Sequence, residues 1–336
     1  MKVCICGGGS LGTVCAGVLS SNIDIEVNIY TQRPDKWKHS IIINDINNKN
    51  YLGHIKTISN NLELASRDCD IILLCLPGFL IEKTLYSIKD ILKEKTIVGS
   101  IVSNTGFFFQ AHNILPSNTP LFGFQRVPYI ARTTEYGHKA KLLGYKSQLA
   151  VALENIENTE EFRLLLENFF MTPTKVLNNF YEASLSNSNP ILHTGRLYSM
   201  WHDWDGKPYP ECSYFYKEWT EDASKTIIEM DNEFMLLLET LSIDKSQIPS
   251  LLEYYESKDS TSLTLKLSSI PAFQAILSPM KEVKGGWVPD FCSRYFKEDF
   301  PHGLKYIKEL ALKHQIPTPT IDKVFQWGIE MCNSLS

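Results

Sequence analysis

The stretch that decides the fold is residues 2–12, KVCICGGGSLG, near the start of the chain. Its first part, Lys2–Cys6, is short and mostly apolar, which predicts a β-strand. A helical pattern follows over residues 11–20. The loop between them has the spacing GxGxxG, which is informative because it joins a strand to a helix. The stretch therefore predicts the first strand–loop–helix unit of a nucleotide-binding α/β domain.

Each residue of this loop has an expected task in holding a dinucleotide. Gly7 permits the tight turn, Gly9 lets the backbone approach a pyrophosphate, and Gly12 lets helix and strand pack closely. Ser10 and Leu11 begin the helix, whose free N–H groups and partial positive charge attract phosphate. We therefore predict that these five residues bind the cofactor. A glycine-rich turn without a ligand is the alternative.

The rest of the N-terminal half alternates apolar strands with helical patterns, which is typical of a parallel sheet covered by helices. The predicted segments are strands at 25–30, 70–76 and 96–102, two short strands within 142–153, a helix at 160–169 and a short strand at 174–177.

The pattern changes near residue 180, after which helical periodicity dominates. The predicted helices are 182–200, 217–241, 249–256, 304–314 and 320–332. We predict a Rossmann-type domain with a doubly wound parallel sheet over residues 1–180. A mainly α-helical substrate domain is predicted over residues 181–336.

Composition excludes several classes of protein. The 336 residues include 33 Lys and Arg and 38 Asp and Glu, so the formal net charge is −5. This balance argues against a dedicated nucleic-acid binder, which usually carries a basic surface, and against a polybasic membrane-bound protein. No apolar stretch is long enough to span a bilayer. We therefore expect neither nucleic acid nor a membrane as a partner.

The eight cysteines are an even number, which is compatible with a disulfide framework. However, Cys4, Cys6 and Cys75 lie in apolar runs, where cysteine packs as a small hydrophobe. No CxxC pair is present, so we expect no zinc or other metal site. The first residues resemble a strand rather than a targeting segment, and we expect a reducing, cytoplasmic location.

The end of the second predicted strand should select the cofactor. NAD enzymes usually place Asp or Glu there to hold the ribose hydroxyls. The chain instead has Thr31 and Arg33, and no carboxylate occurs before Asp35. Thr31 and Arg33 suit a 2′-phosphate. We predict NADP(H) in preference to NAD(H). The alternative is that Arg33 is only a surface charge.

Two further loops leave the carboxyl ends of predicted strands, where ligands of open α/β sheets bind. Leu76 and Pro77 follow one strand, and Asn104 follows the next. We predict that these residues flank the nicotinamide ribose. Simple turns are the alternative.

Three segments of the second half carry candidate chemistry. His193 follows Pro190, which belongs in the first turn of a helix, and a structural histidine is the alternative role. Arg294 offers a planar fork suited to a carboxylate, while Asp299 has helix capping as its simplest role. The aromatic residues of segment 214–222 favour helix packing over a ligand pocket.

Taken together, these segments resemble the octopine/nopaline (opine) dehydrogenase family. The resemblance rests on GGGSLG at 7–12, NPILH at 189–193 and RYFKEDFPHGL at 294–304, and it spans nearly the whole chain. Residues 123–146 and 316–322 also look familial. The chain is shorter than many members, and Thr194 stands where the family commonly has proline after the histidine.

The resemblance implies an NAD(P)-dependent reductive condensation of an amino acid with a 2-oxo acid through an imine. By its motifs, His193 and Asp299 are expected to form the acid/base pair, and Arg294 is expected to bind the oxo-acid carboxylate. The partners are then small molecules. A homodimer is compatible with the sequence, which does not itself identify the oligomeric state.

Two alternatives stay open at this level. Lys175 and Asn179 have the KxxxN spacing of ketopantoate-type reductases, which share the two-domain plan but need no amine. A non-catalytic nucleotide-binding relative would keep the fold without turnover.

Overall fold

The computed structural model describes residues 1–104 and 106–333. Within them the chain divides into two compact units, Met1–Ser184 and Leu185–Ser336.

Unit 1 is built on one large sheet. Its strand order is β11-β10-β7-β6-β5-β1-β2-β4-β3-β9-β8. The central strands from β7 to β4 run parallel, and antiparallel pairs occur only towards the two ends. The strands are β1 Lys2–Cys6, β2 Glu26–Tyr30, β3 Ser40–Asp45, β4 Asn50–Ser59, β5 Ile71–Leu74, β6 Ile97–Ser100, β7 Leu121–Phe124, β8 Tyr129–Glu135, β9 Lys139–Tyr145, β10 Leu149–Glu154 and β11 Thr174–Val176.

Helices cover both faces of this sheet. They are α1 Ser10–Ser20, α2 Leu62–Ser66, α3 Gly78–Lys89, α4 Phe107–Ile114, α5 Thr159–Phe170 and α6 Phe180–Ser184. Side chains of β1 alternate between two hydrophobic clusters, with Val3 and Ile5 in one and Cys4 and Cys6 in the other. The first cluster includes residues of α1 and α5, and the second includes residues of α3 and α4. The predicted fold class is therefore confirmed.

Strands β3, β4, β7 and β8 of unit 1 were not predicted. Strands β3, β4, β8 and β9 extend the sheet beyond β2. Ile41 and Ile43 of β3 pack so closely on α1 that a side chain at Gly17 would collide with both. The two strands predicted within 142–153 are β9 and β10, which pair with different neighbours rather than with each other. Their register depends on partners far away in sequence, which local periodicity does not encode.

Unit 2 is mainly helical, as predicted. Its helices are α7 Asn189–Trp201, α8 Glu221–Glu239, α9 Leu251–Tyr254, α10 Ser260–Ser269, α11 Lys305–Lys313 and α12 Pro319–Asn333, with a π-helix over Tyr295–Leu304. A small hairpin joins β12 Met280–Val283 to β13 Gly286–Pro289.

The prediction of one helix over residues 182–200 was wrong, because the chain leaves helical structure between α6 and α7. Pro190 lies in the first turn of α7, where its missing N–H costs nothing. Proline also disfavours helical geometry in the residue before it.

The sequence predicts neither a membrane-spanning segment nor a metal site. In residues 1–104 and 106–333, no helix is long and apolar enough to cross a membrane. Over the same ranges, no group of three His, Cys, Asp or Glu side chains is placed to hold a metal ion. All eight cysteines are free, and Cys4, Cys6, Cys15 and Cys69 are buried.

Candidate active site

The glycine-rich loop joins β1 to α1 in a conformation that depends on two of its glycines. Gly7 has a φ of +123°, and a Cβ there would collide with the carbonyl of Cys75. A Cβ on Gly12 would collide with the carbonyl of Gly7. Helix and strand thus approach closely only because these side chains are absent.

The same loop leaves space in front of the helix. A Cβ on Gly9 would meet no atom within 4 Å. Among the described residues no side chain forms a capping hydrogen bond at the start of α1. The first backbone N–H groups of this helix are therefore available as hydrogen-bond donors. An open glycine at an uncapped helix N-terminus fits a phosphate. The loop therefore suits a dinucleotide.

Ser10 and Leu11 are held by their own unit. The Ser10 hydroxyl accepts hydrogen bonds from the backbone N–H of Thr133 at 3.0 Å and from its hydroxyl at 3.1 Å. Leu11 is partly buried against the core. What these two residues offer a ligand is therefore their position in the first turn of α1.

The end of β2 lies beside the loop. Thr31 is buried, with its hydroxyl 3.3 Å from that of Tyr136, and Arg33 is exposed with its guanidinium carbon 5.6 Å from the Tyr136 ring centroid. A Cβ on Gly8 would lie 2.8 Å from the Thr31 hydroxyl and 3.0 Å from Nε1 of Trp37. That Trp37 nitrogen is buried without a hydrogen-bond partner in the described structure.

Sequence reasoning missed Trp37 and Tyr136. Trp37 follows a short 3-10 turn, Pro34–Lys36, and Tyr136 lies in the turn between β8 and β9. Trp37 lies shortly before β3 and Tyr136 directly after β8. Neither strand was predicted, so no local motif indicated these two residues.

The other predicted cofactor residues lie at the carboxyl ends of β5 and β6. Leu76 contacts the loop, since a Cβ on Gly7 would lie 3.2 Å from its Cδ2. Pro77 precedes the first turn of α3 as its N-cap residue. Asn104 is half-buried in the turn after β6, and its neighbour Thr105 lies outside the described residues.

In unit 2, two predicted residues meet directly. Nδ1 of His193 lies 2.9 Å from Oδ2 of Asp299, although the residues are 106 positions apart. Their side chains are only 13% and 15% exposed. Asp299 lies inside the π-helix, and its carboxylate contacts the imidazole rather than capping a helix. Helices of this wide type often occur at functional sites.

Close packing explains how the two segments meet. Gly303 of the π-helix faces Pro190 at the start of α7, and a Cβ there would lie 2.5 Å from the proline Cγ. The absence of a side chain at Gly303 therefore lets the helix carrying Asp299 approach the first turn of α7.

The other imidazole nitrogen has an unexpected partner. Nε2 of His193 lies 2.9 Å from the hydroxyl of Tyr216. The Tyr216 ring is buried and stacked on Trp219 and Phe273, at centroid distances of 5.6 and 4.4 Å. Burial, followed by the nearby Tyr295, raises the pKa of Tyr216 above its usual range. Packing describes most of segment 214–222, but Tyr216 also belongs to the polar site.

Arg294 stands at the start of the same π-helix. It is exposed and precedes Tyr295, whose ring lies 4.8 Å from that of His193. Within the described residues no carboxylate pairs with it. An exposed guanidinium at this end of the π-helix suits a bound anion.

Comparison with known proteins gives matches to both parts of the chain. A family model described as NAD/NADP octopine/nopaline dehydrogenase, alpha-helical domain, matches residues 176–332. Octopine dehydrogenase of Pecten maximus is 27% identical to the chain, over 98% of this chain and 90% of that protein. The predicted resemblance of the chain to the octopine/nopaline (opine) dehydrogenase family is confirmed.

Two further comparisons agree with this resemblance. Opine dehydrogenase of Haliotis discus hannai is 28% identical, over 97% of this chain and 89% of that protein. A solved octopine dehydrogenase with NADH and L-arginine superposes with a TM-score of 0.85 at 26% identity, covering 98% of this chain and 89% of that chain.

The N-terminal part of the chain has its own match. A family model for the NAD-dependent glycerol-3-phosphate dehydrogenase N-terminus covers residues 2–113. The prediction of an NAD(P)-dependent oxidoreductase with a nicotinamide dinucleotide cofactor is confirmed.

The open space at Gly9 gives a first test. Gly9→Ala should weaken cofactor binding about tenfold or more, because the methyl group separates phosphate from backbone N–H donors. Its φ of −75° suits alanine, so the melting temperature should not change. Gly144→Ala is the matched control, since its Cβ would make only ordinary contact with Ile130 at 3.4 Å. Calorimetric titration with NADPH and NADH checks both; equal affinities in the two variants would contradict a phosphate site at Gly9.

Proposed function

We propose that the chain catalyses reductive condensation of an amino acid with a 2-oxo acid, and the reverse oxidation. The observation that carries the proposal is the 2.9 Å contact between His193 and Asp299 in a chain that resembles this family. The solved octopine dehydrogenase that holds NADH with L-arginine supports the amine half of the reaction. The amine adds to the keto carbon, water leaves to form an imine, and the imine gains a hydride on carbon and a proton on nitrogen.

Residues 1–180 are assigned to the cofactor. Gly7, Gly9 and Gly12 shape the loop for the pyrophosphate, with Ser10 and Leu11 presenting backbone N–H groups. Leu76, Pro77 and Asn104 are assigned to the nicotinamide ribose. When bound, the reduced nicotinamide supplies the hydride.

Residues 181–336 are assigned to the substrates. His193 supplies the proton that must accompany hydride addition, and in the oxidative direction it removes the amine proton and activates the water that opens the imine. Asp299 accepts a hydrogen bond from the Nδ1–H group, which fixes the tautomer and stabilises the imidazolium when it forms. Arg294 holds the oxo-acid carboxylate through two parallel hydrogen bonds.

We also propose that NADP(H) is preferred to NAD(H). Thr31 and the exposed Arg33 end β2, and the first carboxylate after them, Asp35, is 70% exposed and lies 3.7 Å from Lys36. Arg33 is exposed, and its guanidinium carbon lies 5.6 Å from the Tyr136 ring centroid. Because the solved octopine dehydrogenase contains NADH, this preference needs its own test.

The reaction is tested by crossing a panel of amino acids with pyruvate, 2-oxoglutarate and glyoxylate while following NADPH and NADH oxidation. Turnover should require both an amine and an oxo acid. His193→Ala should lower turnover about 100-fold or more, because general acid–base catalysis is lost, while cofactor affinity is retained.

His202→Ala is the control for that experiment, because His202 is exposed at the other end of α7. It should keep nearly full turnover. Reduction of oxo acids without amine would favour a ketopantoate-type reductase instead. Cofactor binding without turnover across the panel would favour a non-catalytic relative.

The role of Arg294 predicts a separate kinetic effect. Arg294→Lys should raise the Michaelis constant of the oxo acid about tenfold, because lysine does not reproduce a bidentate contact. Lys297→Gln, which removes an exposed cation from the same π-helix, should leave that constant unchanged. Initial-rate kinetics decide it; an unaltered constant in Arg294→Lys would refute the assignment.

Cofactor preference is tested at the end of β2. Arg33→Gln should lower kcat/KM for NADPH about tenfold and change that for NADH little, because only NADPH carries the 2′-phosphate. Lys36→Gln removes a cation three residues away and should change kcat/KM for neither NADPH nor NADH. If the unsubstituted protein favours NADH more than tenfold, the proposed preference is wrong.

A further inference from the structure

The Tyr216 hydroxyl contacts the imidazole nitrogen of His193 that the proposed reaction uses. With Nδ1 directed at Asp299, only Nε2 remains to exchange a proton with substrate, and the Tyr216 hydroxyl lies 2.9 Å from it. The three side chains therefore form a continuous hydrogen-bonded chain, Asp299–His193–Tyr216. This inference rests on the proposed acid–base role of His193.

The hydroxyl is held in place by two kinds of contact. Its ring is 4% exposed and stacked between Trp219 and Phe273. Its backbone is fixed by Arg196, which lies one turn after His193 on α7 and donates to the carbonyls of Phe215 at 3.2 Å and Glu218 at 2.7 Å. The helix that carries the histidine thus also fixes the tyrosine.

The direction of the hydrogen bond follows from the chemistry. When the imidazole is neutral and Nδ1 donates to the Asp299 carboxylate, Nε2 is an acceptor, so the phenol must donate to it. A phenol is a better donor than acceptor, and burial keeps its pKa above the usual range. The contact therefore favours the neutral imidazole, in opposition to Asp299, which favours the charged form.

We propose that Tyr216 is a positioning residue for His193, which sets the orientation of the ring and opposes the effect of Asp299 on its protonation. The single Nε2 lone pair accepts from the phenol before substrate binds, so substrate nitrogen takes the place of the Tyr216 hydroxyl at Nε2 before a proton moves. Tyr295 of the π-helix also faces His193, with its ring centroid 4.8 Å away, and Arg294 precedes it in the chain. Arg196 lies one turn after His193 on α7, with its donors directed at the Phe215 and Glu218 carbonyls. Tyr216 is the one placed directly on Nε2.

The test is the pH profile of kcat/KM in the oxidative direction, in which the neutral imidazole is needed. Tyr216→Phe should move the acidic limb of the profile about 0.5–1 pH unit upwards, because a hydrogen bond to the neutral form is lost. It should lower kcat about tenfold and leave the KM of the cofactor unchanged. Incorporation of 3-fluorotyrosine at position 216, a stronger donor of the same shape, should move the limb downwards.

Tyr198→Phe is the matched control, because it removes a tyrosine hydroxyl from α7 at a ring that packs on Trp327. Its profile should match that of the unsubstituted protein. Opposite shifts in the two Tyr216 variants support the inference. An unmoved limb in the fluorotyrosine protein would overturn it even if Tyr216→Phe fails to fold. If His193→Ala abolishes turnover while both Tyr216 variants keep the original pH profile, the role proposed for Tyr216 is wrong and the proposed function stands. If His193→Ala keeps its activity, both the proposed function and the role of Tyr216 are wrong.

Discussion

The structure of the candidate active site depends on the close packing of Gly303 against Pro190. This contact lets a wide π-helix lie on the first turn of α7, so that Asp299 reaches His193 across 106 positions of sequence. Any larger side chain at position 303 would separate the two segments. The contact between His193 and Asp299 thus depends first on the close packing of this glycine against this proline, and then on the charges of the two polar side chains.

The glycines of unit 1 act in two different ways. Gly7 and Gly12 are needed because the space around them is filled by backbone carbonyls, whereas Gly9 faces open space. A filled glycine position fixes the fold, and an open one at a helix N-terminus leaves room for a ligand. This contrast separates structural from ligand-facing positions within one motif, which the GxGxxG pattern alone does not do.

The sequence predicted what short-range patterns encode. The strand, loop and helix from Lys2 to Ser20 follow from apolar runs and glycine spacing, and His193, Arg294 and Asp299 were selected as candidates because they lie in recognisable segments. The strands β3, β4, β7 and β8 were missed. The pairing of β3 with β9 joins Ile42 to Lys139, a distance in sequence that local periodicity does not encode. Trp37 and Tyr136 were missed with these strands.

Tyr216 was missed for another reason. Aromatic residues cluster around it, and an aromatic cluster predicts packing. Its ring does pack, on Trp219 and Phe273, yet its hydroxyl meets His193. A single side chain can therefore belong to the hydrophobic core through its ring and to the polar site through its oxygen. The sequence pattern predicts only the packing of the ring.

The two arginines between residues 185 and 336 show how burial divides roles between identical side chains. Arg196 is buried, donates to backbone carbonyls and stacks over Trp219 at 5.2 Å, and burial lowers its pKa to about 10. Its donors are already directed at the segment that carries Tyr216. Arg294 is exposed and lies on the helix of Asp299. Since a substrate carboxylate needs an unoccupied planar donor, Arg294 is the arginine of unit 2 that can supply one, while Arg196 holds the segment that carries Tyr216.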